Sequence, residues 1–138
     1  MTAVEIISIL GAAPAPATPQ QLEHAEAELG FRFPEPLREI LLLSDGVEGF
    51  LAEGSAYLAL YPIDHILRVN RAHAEFKPRR ELIGFGGDGG GEGYFFDYSE
   101  PGPAVFMIAW ISDWKKDAIR YASGFAEFID KVKAGCFR

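Results

Sequence analysis

Residues 84–93 hold seven glycines with Asp88 and Glu92 set among them, the densest meeting of backbone freedom and carboxylate in the chain. A strand running into glycines invites a phosphate-cradling loop. Such a loop closes on a lysine and a Ser/Thr and opens a helix whose amide ends face the anion. Here Tyr94-Phe95-Phe96 follows, a strand pattern, and two carboxylates would repel phosphate. A calcium site on Asp88, Glu92 and Asp97 would have the right oxygens, but their spacing misses the EF-hand register. The residues predict instead a glycine-rich turn, a long acidic connection between two strands in the middle of a sheet. Ordering so many glycines is costly in entropy, so the connection is expected to settle upon binding.

The remaining reactive side chains are sparse. His24, His65 and His73 form no HExxH pair, and His65 and His73 lie too far apart to share one metal without further ligands; surface imidazoles are expected. No serine sits in a Gly-x-Ser-x-Gly elbow, and the single cysteine, Cys136, occupies a terminal turn. The sequence therefore offers no nucleophile with a positioned base, no metal set and no cofactor motif, and is read as non-enzymatic. Aromatics are more plentiful: Tyr57, Tyr61, Tyr94, Phe95, Phe96, Tyr98, Phe106, Trp110 and Trp114 fall mostly on strand-like runs. Most belong to a core, and a subset is available to line a partner surface. Alternation puts Tyr94, Phe96 and Tyr98 on one side of a strand and Phe95 and Asp97 on the other.

Charge narrows the partners. The net charge of −7 divides into blocks of alternating sign: −8 over residues 1–64, +3 over 65–83, −5 over 84–114 and +3 over 115–138. Concentrated acid is repelled by a phosphate backbone and attracted to basic protein surfaces, so direct nucleic-acid binding is disfavoured. One cysteine permits no intramolecular disulfide, which suits a reducing, cytoplasmic setting. Residues 4–10 are apolar but carry Glu5 where a secretory signal would carry Lys or Arg, and no other stretch approaches the length of a membrane span.

The elements that must position these residues can be read from periodicity and punctuation. A weak helix is expected at residues 4–10, followed by an extended Ala/Pro connector at 11–17. Thr18, Pro19 and Gln21 form a capping-box start, and Leu22, Ala25 and Leu29 a stripe ending at Gly30, so a helix spans 19–29 with Glu23, Glu26 and Glu28 off the stripe. A second helix from Pro36 to Asp45-Gly46 is apolar almost all round and is expected to be the most buried. Residues 50–52 and 57–61 read as a hairpin around Glu53-Gly54-Ser55, and 62–75 as a surface helix with Arg68, Arg71, His73 and Glu75 facing water. Residues 82–85, 94–98 and 104–109 are strands of an antiparallel meander, and a closing helix at 125–132 is capped by Ser123 and ended by Gly135. Helices first, strands in the middle and a last helix predict an α+β fold in one domain over 1–138, with 18–138 as its core.

The order of these motifs resembles the SUKH superfamily, also described as the Smi/Knr-like family, which includes fungal cell-wall-synthesis regulators and bacterial toxin-immunity proteins. The resemblance runs through residues 22–30, Phe33-Pro34, the leucine-rich helix ending in Asp45-Gly46, residues 58–66, 83–97 and 104–106, and the closing residues 122–129. Phe33 stands where the family usually has leucine, Asp45 where asparagine is common, and Gly124 interrupts a usual Ser-Phe pair. The resemblance implies a twisted antiparallel sheet of about five to six strands, no cofactor, and, in bacterial members, neutralisation of a cognate toxin, often a nuclease. On that reading Asp45, Glu48, Glu53, Asp88 and Glu92 form an acidic patch that docks a basic toxin domain. The alternative is a regulatory or scaffold protein of envelope or stress physiology.

Overall fold

The structure, a computed structural model, describes residues 1–11, 15–75, 77 and 80–136. Residues 12–14 of the expected connector lie outside that set. The elements run α1 (Ala3–Leu10), α2 (Pro19–Leu29), α3 (Glu35–Leu43), β1 (Val47–Phe50), β2 (Tyr57–Leu60), α4 (Ile63–Ala72), β3 (Leu82–Gly87), β4 (Glu92–Asp97), β5 (Ala104–Ala109), α5 (Trp114–Asp117), β6 (Ile119–Ala122) and α6 (Phe125–Lys133). The strands pair in sequence order into one six-stranded antiparallel sheet, an α+β architecture. Among the described residues, no helix is long and apolar enough to cross a membrane.

Local chemistry explains the helix limits. At α2 the Gln21 amide donates to Thr18 Oγ1 at 3.1 Å and the Thr18 amide to Gln21 Oε1 at 2.9 Å, and Gly30 closes the helix at φ 84°. Each end thus satisfies backbone groups that would otherwise stay orphaned. Glu26 departs from the expected polar face: its Oε2 accepts from the Phe33 amide at 2.7 Å and from Arg38 Nε at 3.2 Å, which ties α2 to α3. In α3 the expected all-round burial does not hold. Leu37, Ile40 and Leu41 are buried, but Leu43 is 51% exposed, because α1 covers only part of the helix and leaves a groove of 380 Å³ beside Leu42 and Leu43. The closing helix α6 starts at Gly124 without a side-chain cap; Ser123 Oγ instead donates to Glu127 at 2.7 Å.

The first hairpin is displaced from its expected place. β1 begins at Val47, and Leu51-Ala52 belongs to the turn, where Ser55 closes back on Ala52. Leu51 is buried in that turn, so its burial imitates a strand residue. α5 and β6 have no counterpart among the elements expected from the sequence.

The sheet sorts its aromatics by alternation. Ile83, Phe85, Tyr94, Phe96, Val105 and Met107 face the main core, together with Phe125 and Phe128 of α6 and the buried residues of α1 to α4. Each such side chain contributes about 1.5–3 kcal/mol on burial. Leu82, Phe95, Ile108 and Trp114 form a smaller cluster on the reverse face, with Phe106 and Trp110 packed against it. β2 reaches β3 only at Gly86 and Gly87. Beyond that point Asn70 of α4 takes the place of a strand, accepting from the Gly84 amide at 2.9 Å and donating to its carbonyl at 2.8 Å.

Candidate protein-binding face

The glycines of residues 84–93 serve mainly as strand, not loop. Gly84, Gly86 and Gly87 lie in β3 and Gly93 in β4, so the expected long connection reduces to residues 88–91. That turn has its own hydrogen bonds: Asp88 Oδ1 accepts from Gly90 at 2.9 Å and Glu92 at 3.2 Å, and the Asp88 amide donates to the Glu92 carbonyl at 3.1 Å. Gly89 has φ 79°, a left-handed conformation that a side chain would oppose.

These glycines, in strand and turn alike, are explained by what lies on them. A Cβ at Gly93 would sit 2.5 Å from Trp110 Cζ2, one at Gly87 2.6 Å from the Tyr61 hydroxyl, and one at Gly89 2.6 Å from Tyr57 Cδ1. At Gly86 it would overlap the Ala59 carbonyl oxygen. Missing side chains therefore make a floor on which Tyr57, Tyr61 and Trp110 rest.

Register extends this floor to the sheet edge. Glu48 opposes Ala59, Ala59 opposes Gly87, and Phe50 opposes Tyr57, which puts Glu48, Phe50 and Tyr57 on the face turned away from the main core. Phe50 is 60% exposed and meets Tyr57 edge-on at 5.1 Å. Burial, followed by the nearby Glu48 carboxylate, raises the Tyr57 phenol above its ordinary range. Tyr61 is raised as well, first by burial, against a lowering contact from Trp110, with Asp88 adding to the rise.

Beside this strip opens a groove of 620 Å³ whose walls include Leu10, Asp45, Glu48, Tyr61, Pro62 and His65. Among the described residues its lining contains two carboxylates and no lysine or arginine. Asp45 is half-buried and has a structural task, since its Oδ1 accepts from the Ile63 amide at 2.9 Å and caps α4 behind Pro62. His65 stands edge-on to Tyr61 at 4.3 Å. Burial, then the charge of Arg68, lowers its pKa, so the ring is neutral at neutral pH.

Of the five expected acids, Asp45 and Glu48 share the groove, and Asp88 stands by the Tyr57–Tyr61 strip. Glu53 is exposed in the β1–β2 turn, which packs by Gly54 against Gly135 beyond α6, and it is not part of the groove. Glu92 is half-buried at the start of β4. Asp97 lies at the opposite end of β4 and accepts from the Ser99 amide at 3.0 Å, so the carboxylates of the calcium reading are split between the 88–91 turn and the two ends of β4. Among the described residues no group of three or more His, Cys, Asp or Glu side chains could hold a metal ion.

His73 is not the surface imidazole expected. It is half-buried, stacked on Trp114 at 5.5 Å and tilted against Trp110 at 5.1 Å. Phe50 and His65 belong to a surface for which the sequence had not singled them out; the alternation of Glu48 and Phe50 with Val47 was the available signal.

No curated protein matches the chain. The family model for the SMI1 / KNR4 family (SUKH-1) matches residues 16–131, a span that takes in α2 through most of α6 and every strand of the sheet. With the match covering most of its length and the α+β fold consistent with it, the chain belongs to the SMI1 / KNR4 family (SUKH-1), whose members are generally non-catalytic immunity or regulatory domains that bind protein partners.

Proposed function

We propose that this protein is a cytoplasmic immunity protein that neutralises a cognate toxin by binding it directly through the face built on Glu48, Phe50, Tyr57 and Asp88. The observation that carries this reading is the exposed Phe50, packed edge-on against the half-buried Tyr57 between carboxylates and beside a groove that is, among the described residues, free of lysine and arginine. Aromatic anchors at the centre of an interface supply most of its affinity, and flanking charge supplies speed and orientation. A basic toxin domain, such as a nuclease, fits that pattern. Asp45 contributes charge to the groove wall, Glu53 stands as an outer acid, and Glu92 supports the Asp88 turn. The reading assigns no catalytic step and no cofactor.

Co-expression with the toxin-like reading frame next to its gene tests the proposal. Wild-type protein is expected to restore growth, and Phe50→Ala with Glu48→Lys to lose protection while remaining folded. Unchanged killing in the presence of the wild-type protein would sink the assignment for that pair. Capture of a housekeeping enzyme and no toxin would favour the regulatory reading.

A further inference from the structure

Apart from His65, the basic block of residues 65–83 does not line the acidic groove, yet three of its cations meet in one place. Arg71, Lys77 and Arg80 line a cleft of 320 Å³ with Glu28, Leu29 and Ile83. Glu28 and Arg71 satisfy each other: Arg71 Nε donates to Glu28 Oε2 at 2.8 Å, and Nη2 donates to Oε1. The Asn70 amide, also on the wall, is occupied by Gly84 and Ile66.

Two charges are left over. The Arg80 guanidinium lies 5.4 Å from the centre of the Phe31 ring, a cation–π contact that uses none of its N–H donors on a carboxylate. Lys77 is half-buried, and burial alone pushes its ammonium down to about 8. Among the described residues no carboxylate forms an ion pair with either cation. A half-buried ammonium without a counter-charge is costly, and an arriving anion recovers that cost.

We propose that this cleft binds a small phosphate monoester, with the phosphoryl dianion held between Lys77 and Arg80 and the organic part resting on Leu29 and Ala74. Two uncompensated cations match a dianion better than a single carboxylate. Arginine supplies a planar fork for two oxygens and lysine a mobile point charge. The volume is at the lower end of small-ligand sites, enough for a phosphoryl group and a ring. A nucleic-acid strand does not fit the pattern, because a polyanion would meet the acidic remainder of a chain of charge −7. The site is independent of the toxin-binding reading.

The test uses the full chain with inorganic phosphate and phenyl phosphate as probes, followed by calorimetry and by NMR of the lysine side chains. Phenyl phosphate is expected to saturate one site, to bind more tightly than inorganic phosphate, and to return Lys77 towards the ordinary lysine range. Lys77→Met and Arg80→Gln each lose one charged contact and are expected to weaken binding about tenfold or more. Lys133→Met, on α6, is expected to leave affinity unchanged. Lys77→Met removes an unpaired cation and should fold at least as stably as the parent; if it does not, the exposed Arg80→Gln variant still decides the question. Absence of saturable binding, or parental affinity retained in the Lys77→Met and Arg80→Gln variants, would overturn the site. Equal affinity for the two probes would overturn the monoester assignment.

Discussion

Replacing Asn70 by leucine should unzip α4 from the sheet. The side chain is 5% exposed, and its amide pairs with both the N–H and the C=O of Gly84 where β2 no longer reaches β3. Leucine has a similar volume, so the substitution removes hydrogen bonds without opening a large cavity. Two buried backbone groups lose their partners at about 1–3 kcal/mol each. Burying leucine in place of an amide returns about 1.5–3 kcal/mol, leaving a net loss of about 2 kcal/mol. A domain of this size has about 5–15 kcal/mol in total, so the loss is a large fraction. With a urea dependence of about 2 kcal/mol per molar, the unfolding midpoint should fall by about 1 M. Equilibrium denaturation followed by tryptophan fluorescence and circular dichroism measures this directly. A fall of less than about 0.3 M would refute the idea that Asn70 substitutes for a strand. Asn70→Asp adds a pH signature. It keeps the acceptor for the Gly84 amide but turns a carboxylate oxygen towards two carbonyls, so its folded pKa must rise above the unfolded value. Stability in that variant is fully present below the unfolded pKa and is lost as pH climbs through the folded one.

Other substitutions separate packing from flexibility. Gly93→Ala places a methyl 2.5 Å from Trp110 Cζ2 and should cost about 1–3 kcal/mol with a shift in tryptophan emission, whereas Gly91→Ala meets nothing within 4 Å and should change stability by less than about 0.5 kcal/mol. Glu26→Ala strands Arg38 and the Phe33 amide in a contact whose side chains are 13% and 10% exposed, so thermal unfolding should report a loss of about 3 kcal/mol. Glu28→Ala, on an exposed pair, should be close to neutral in the same assay. In alkaline titration Tyr94 and Tyr98 stay protonated well past the usual range, and Tyr121 is pushed up to about 12, all chiefly by burial. Folded pKa values above the unfolded ones mean stability is intact below pH about 10 and declines as pH rises through the folded values, so phenolate absorbance from these residues should appear together with unfolding.

Elements governed by neighbours in sequence are legible in the sequence itself. The α2 limits follow from Thr18, Pro19, Gln21 and Gly30, each acting within a few residues, and both limits agree with the expected ones. The meander is readable in order from its strand runs and turn residues, though β3 and β4 run two residues further into the glycines than expected; the separation of Tyr94 and Phe96 from Phe95 is readable too. Charge blocks are a property of composition alone. β6 escapes notice because it is four residues long and has no turn signature in front of it, only the short helix α5.

The glycine run shows where sequence stops deciding. Its composition marks a place where side chains are absent, and that alone is compatible with a flexible loop or with close packing. Tertiary structure chose packing, because Trp110, Tyr61 and Tyr57 arrive from other parts of the chain and occupy the space that Cβ atoms would need. The same holds for the acids. Asp45 became a helix cap, Asp88 the brace of a turn and Glu26 an interhelical tie through partners distant in sequence or set by chain reversal. Which carboxylates remain beside the exposed Phe50 is thus a result of strand register, since a shift of one residue would have turned Glu48 and Phe50 into the core.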